Sequence, residues 1–156
     1  MNDTATALIA LMRDRGLSVA TAESLTGGLL CSALIDVPGA SAVVRGGVVA
    51  YAPEVKTSVL GVPADLIARV GTVDPDVAQL MAEGARHHLG ADIGLATTGN
   101  AGPDALDGKP VGRVHVALAG PEGVVDWQLD LAGDRQAIRH GAVDALLDRA
   151  LATLGP

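Results

Sequence analysis

Short apolar runs alternate with helix-patterned segments along the whole chain, and no other feature of the sequence narrows the fold as much. Ser18-Val-Ala-Thr-Ala-Glu23 and Ile93 to Thr98 have the length and apolar content of buried strands. Val43 to Ala52 reads as a strand pair or as one bent strand around Gly46-Gly47. Arg113 to Ala119 and Val124 to Leu131 read as an antiparallel hairpin joined by Gly120-Pro-Glu-Gly123. A first helix is capped by Asp3 or Thr4 and ended by Gly16; a second opens at Thr26-Gly-Gly28 and stops at Asp36-Val-Pro-Gly39. Short helical pieces follow over 54–60 and 64–70. A cleaner helix runs from Pro75 to Leu89, and a long one over 134–154 closes the chain. Strands alternating with helices predict an α/β fold, a sheet covered on both faces. The hairpin makes that sheet mixed.

At 156 residues, with no repeat or low-complexity linker, the chain is expected to form one domain over residues 1–156. Tyr51 and Trp127 are the only aromatic residues, so the core must be built from Ala, Val, Leu and Ile. A formal net charge of −7 repels phosphate backbones, and no nucleic-acid partner is expected. Cys31 is the only cysteine, which excludes an intramolecular disulfide and a thiolate metal cluster. No apolar run approaches a membrane span and no signal peptide precedes the first helix, so a cytoplasmic protein without a membrane partner is expected.

In open α/β sheets, ligands bind beyond the carboxyl ends of strands. Two polar, glycine-rich segments fall there: Glu23-Ser-Leu-Thr-Gly-Gly28 and Thr97-Thr-Gly-Asn-Ala-Gly-Pro103. Ser24 sits where a strand becomes a helix, exposed as a nucleophile would be, and the helix-start N–H groups would face an anion or an oxyanion. The plainer alternative is that Ser24 or Thr26 only caps the helix. The second loop has the form of a phosphate cradle or of an ordinary turn. Lys56 and Lys109 are the only lysines against nine arginines. A desolvated lysine can act as a base, which arginine cannot. Gly102 to Pro110 fails as a P-loop, because five residues separate its glycines and Pro110 stands where Ser or Thr should bind Mg²⁺. His87 and His88 point apart on a helix, and His115 and His140 are isolated, so no metal is expected. Arg135 and Arg139 share a helix face, suited to an anion, a partner or an ordinary solvated surface.

Ala22-Glu-Ser-Leu-Thr-Gly-Gly28, Val37-Pro-Gly-Ala-Ser41, Gly46-Gly-Val-Val-Ala-Tyr51 with Lys56, Thr98-Gly-Asn-Ala-Gly-Pro103 with Lys109-Pro-Val-Gly112, and Gly133-Asp-Arg135 with Arg139 follow one another in this order. Together they resemble the CinA C-terminal domain family of nicotinamide-nucleotide amidohydrolases, across almost the whole chain and in the size of the stand-alone form. The resemblance implies a three-layer α/β/α sandwich with a mixed, mostly parallel sheet of five or six strands. It implies hydrolysis of the carboxamide of nicotinamide mononucleotide to nicotinate mononucleotide and ammonia, with no cofactor. By the same resemblance Ser24 matches the nucleophile and Lys56 the base, with Tyr51 close by. Thr26, Gly27, Gly28, Thr98, Gly99, Asn100, Ala101, Gly102 and Pro103 fall in its binding loops, and Arg139 is expected to join them at the substrate. A homo-oligomer, a dimer first, is the expected assembly. Leu25, Asp74 and Asn100 depart from the Cys, Ser and Ile usual in the family. These departures motivate an alternative, a non-catalytic nucleotide-binding or interaction module linked to competence and DNA damage. A hydrolase of another small amide is the third reading.

Overall fold

The computed structural model describes residues 2–156. The first helix, α1 (Asp3–Arg15), is capped by the Asn2 side chain, which accepts from the Ala5 N–H, rather than by Asp3 or Thr4. Then follow β1 (Val19–Glu23), α2 (Leu29–Ile35), a 3₁₀ turn (Ala40–Ala42), β2 (Val44–Val49), α3 (Pro53–Leu60), α4 (Ala64–Val70) and α5 (Pro75–His88). The chain ends with β3 (Ile93–Gly99), β4 (Arg113–Gly120), β5 (Gly123–Asp130) and α6 (Arg135–Leu154). The segment around Gly46-Gly47 is a single edge strand, not a strand pair.

The five strands lie in the order β2-β1-β3-β4-β5. β2, β1 and β3 are parallel, and β3–β4 and β4–β5 are antiparallel. Four strands therefore point one way and β4 alone opposes them, the mixed and mostly parallel sheet of an α/β/α sandwich.

Strand alternation sends different residues to the two faces. Val19, Ile93, Leu95, Val114, Val116 and Leu118 pack against α1, α2 and α6. Ala20, Ala22, Ala96, Ala117 and Ala119 pack against α3 and α5. Small side chains on the second face let α5 approach the sheet closely. A Cβ added at Gly94 would overlap the Ala82 carbonyl, and one at Gly84 would overlap that of Leu60. Close packing of α3, α5 and the sheet fixes where α3 delivers its side chains, and Lys56 is one of them. Among the described residues no helix is long and apolar enough to cross a membrane.

Candidate active site

Strand register builds the site. Glu23 pairs with Val49 on one side and Thr97 on the other, so the strand exits Ser24, Ala50 and Thr98 stand abreast. The Ser24 N–H donates to the Thr97 carbonyl (3.0 Å) and the Ala50 N–H to the Glu23 carbonyl (2.8 Å). After Ala50 the chain turns, and Pro53 starts α3 with the fixed φ that suits a first helical turn. One turn later Lys56 points back at the strand exits.

Lys56 is fully buried, with 0% exposure. Its Nζ lies 2.9 Å from Ser24 Oγ, 2.7 Å from the Ala50 carbonyl oxygen and 3.4 Å from that of Tyr51. No carboxylate pairs with it among the described residues. Burial without a counter-ion disfavours the ammonium and lowers its pKa from 10.5 to about 8. The neutral amine fits this nest well. In the neutral form two N–H bonds can serve the two carbonyls and leave the lone pair for the Ser24 hydroxyl; in the ammonium form Nζ donates to Ser24 Oγ as well.

Ser24 opens onto a cleft of about 530 Å³ lined also by Leu25, Tyr51, Pro53, Thr72, residues 99–107 and Arg135. Gly99, Asn100, Ala101, Gly102 and Pro103 thus border the cleft as the sequence suggests. Thr26, Gly27, Gly28, Thr98 and Arg139 do not line it. The reasons are specific. The Thr26 hydroxyl lies 2.7 Å from Glu23 Oε2 and 2.7 Å from the Thr97 hydroxyl. Thr98 donates to the Thr72 carbonyl (2.6 Å). Arg139 clamps the carbonyls of Leu25 (2.8 Å) and Thr26 (3.2 Å), holding the turn from behind.

The helix-start N–H groups are also spent. Glu23, 1% exposed, turns its carboxylate into the start of α2 and accepts from the N–H groups of Gly28 (3.0 Å), Leu30 (3.0 Å) and Cys31 (2.8 Å). The Gly27 N–H donates to the Ser24 carbonyl (3.1 Å). The anion expected at this helix start is therefore the chain's own, and α2 begins at Leu29 rather than at Thr26. Leu25, next to Ser24, and Ala101 are among the cleft residues whose backbone N–H groups find no acceptor among the described residues; Tyr51, Thr72, Asp104, Ala105 and Asp107 are others.

Tyr51 contributes in two separate ways. Its carbonyl faces Lys56, whereas the residue as a whole is 61% exposed and its hydroxyl accepts from Arg135 (3.0 Å). Arg135 also donates to the Gly102 carbonyl (2.7 Å). Sequence reasoning gave Glu23 no role and gave Arg135 only a helix face shared with Arg139, suited to an anion, a partner or solvent. Arg135 shares its helix face with Arg139, and only its place in the first turn of α6, nearer the strand exits, separates the two. Glu23 carries a clearer signal, since a lone carboxylate ending an apolar strand needs donors to be buried.

A family model described as the CinA C-terminal domain matches residues 1–154. A CinA-like protein of Frankia casuarinae is 52% identical over 141 residues, covering 90% of this chain and 33% of that protein. A CinA-like protein of Geobacter sulfurreducens is 49% identical over 144 residues, 92% of this chain and 35% of its own length. The chain spans about one third of the length of the curated relatives it matches. Among solved structures, a CinA superfamily protein of Klebsiella pneumoniae superposes with a TM-score of 0.95 at 32% identity, covering 98% of this chain and 96% of that one. The competence/damage inducible protein CihA of Agrobacterium tumefaciens gives 0.93 at 36% identity, covering 98% and 94%.

Proposed function

The chain belongs to the CinA C-terminal domain family, and from this premise we propose that it is a serine amidohydrolase converting nicotinamide mononucleotide to nicotinate mononucleotide and ammonia. One observation carries the reading: a fully buried lysine amine without a counter-ion, 2.9 Å from a serine hydroxyl on the wall of a cleft. That is the arrangement of a nucleophile with its general base.

Neutral Lys56 takes the Ser24 proton as Oγ attacks the carboxamide carbon. The N–H groups of Leu25 and Ala101 serve the developing oxyanion, where one donor contributes about 2.7–4 kcal/mol. The C–N bond breaks, and Lys56 returns its proton to the leaving nitrogen, which departs as ammonia. Water then attacks the acyl ester. Lys56 takes the water's proton and passes it to Ser24 Oγ, which restores the starting state. Arg135, a guanidinium on the cleft wall whose hydrogen bonds go only to neutral acceptors, is the residue for the substrate's phosphate.

The test is ammonia release from nicotinamide mononucleotide. The native chain releases it and Ser24→Ala does not; full activity in Ser24→Ala removes the serine from its role. The names of the structural relatives speak of competence and damage and specify no reaction. A nucleotide-binding module is the alternative they leave, and tight binding of the mononucleotide without turnover would favour it. Release of ammonia from other small amides but not from this one would keep the mechanism and change the substrate.

A further inference from the structure

More than half of the residues lining the cleft come from the single stretch 99–107, and one side chain ties that stretch together. Asn100 is 5% exposed. Its Oδ1 accepts from the Gly102 N–H (2.9 Å), and its Nδ2 donates to the carbonyls of Asp104 (2.9 Å) and Lys109 (3.3 Å). Its own N–H donates to the Arg113 carbonyl (2.9 Å), and its carbonyl accepts from the Gly112 N–H (2.8 Å). Every polar atom of Asn100 is thus spent inside the protein. The amide can face only one way, because a flip would set its oxygen against two carbonyls.

These bonds reach residues 102, 104 and 109, and so close the loop from its first turn to its last residue. The loop's own backbone supplies little else. Leu106 and Lys109 exchange a pair of bonds (3.1 and 2.8 Å) across an Asp107-Gly108 turn, which leaves the stretch from Ala101 to Ala105 to Asn100. The Gly102 peptide is the link to the site. Its N–H is held by Asn100, and its carbonyl accepts from Arg135 Nη1 (2.7 Å).

We infer that Asn100 is a positioning residue: its side-chain amide sets the 101–109 loop and, through the Gly102 peptide, aims the Arg135 guanidinium at the substrate's phosphate. The inference rests on the proposed role of Arg135 and assigns Asn100 no contact with substrate.

A double-mutant cycle tests it. Asn100→Leu, Arg135→Gln and the double variant are assayed with nicotinamide mononucleotide and with nicotinamide riboside, which lacks the phosphate. Each is also made with Ser24→Ala, and its binding of nicotinate mononucleotide is measured by calorimetry. Asn100→Leu should raise KM for the mononucleotide about tenfold, the worth of one well-placed charge-assisted hydrogen bond. The pH midpoint of kcat should not move, any fall in kcat through the neighbouring Ala101 N–H should be the same for both substrates, and KM for the riboside should change less than about twofold. In the Arg135→Gln background Asn100→Leu should add nothing. Asn100→Asp keeps the bond from Gly102 and loses the two donated ones; it should change KM in the same direction, less strongly, and serves if the leucine variant does not fold.

Independent, multiplying effects of the two single substitutions on KM for the mononucleotide, or an equal rise in KM with the riboside, overturn the inference. Coupling seen in calorimetry without ammonia release sustains it and refutes the proposed reaction. Turnover without coupling does the reverse. A chain that neither binds nor hydrolyses the nucleotide refutes both.

Discussion

Glu23 and Lys56 are both buried beside Ser24, 1% and 0% exposed, and their surroundings are opposite. Glu23 is an acceptor met by donors: three backbone N–H groups and the Thr26 hydroxyl converge on its two oxygens. It also lies at the end of α2 where the helix dipole favours negative charge. Lys56 meets two carbonyls and one hydroxyl, with no carboxylate. One group is fastened as structure. The other is desolvated and ready to give up a proton. Burial of an ionisable group therefore does not mark chemistry; the partners it is buried with do.

The largest test of this contrast is Lys56→Met, which keeps the apolar stem and removes the amine. Ammonia release should fall by about 10²–10⁴-fold, the usual worth of a positioned base. Thermal stability should hold or rise, because a buried amine without a counter-ion is replaced by apolar volume. Retention of most of the activity would mean that another group takes the Ser24 proton. Glu23→Gln should behave in the reverse sense. Its NH₂ would confront N–H donors, leaving buried groups unsatisfied, and urea unfolding should report a loss of about 2–4 kcal/mol. Native stability in that variant would break the comparison from the Glu23 side.

Much of this pair was legible in the sequence, and the limits are physical. Ser24 at a strand exit and a rare lysine after β2 could be read as nucleophile and base. Their 2.9 Å separation could not, because it depends on how closely α3 and α5 pack on an alanine face. The strand and helix order followed from periodicity. The start of α2 was misjudged because Thr26-Gly-Gly28 has the composition of a helix N-terminus, while the actual cap is a carboxylate further back on β1. Of the two arginines of α6, Arg135 and not the expected Arg139 borders the cleft. Their four-residue spacing puts both on one face, but Arg139 is taken up by the Leu25 and Thr26 carbonyls and only Arg135 reaches the cleft.

A smaller effect sharpens the Lys56 side through pH. With the amine titrating at about 8, kcat/KM should rise about tenfold per pH unit below that value and level above it. Stability carries the same signature. The unfolded lysine holds its proton up to about 10.5 and the folded one only to about 8, so between these values the unfolded chain binds more protons. The cost of the buried ammonium is whole below pH 8 and is relieved as pH rises towards 10.5. Urea midpoints should therefore gain in that window relative to Lys56→Met, in which the gain is absent. Equal slopes in the two proteins would mean that Lys56 titrates as an ordinary exposed amine.

The smallest effect belongs to Tyr51, which touches the pair with its backbone alone. The carbonyl that accepts from Lys56 survives any substitution of the side chain, while the phenol hydroxyl meets only Arg135 at the exposed rim. Tyr51→Phe therefore removes one solvent-accessible hydrogen bond, worth about 0.5–1 kcal/mol. It should change KM by less than about fivefold and leave kcat and its midpoint near pH 8 unmoved. A large fall in kcat, or a displaced midpoint, would mean that the phenol turns inward when substrate binds and shares the proton traffic. The site would then be a triad, and Lys56 would no longer act alone on the Ser24 proton.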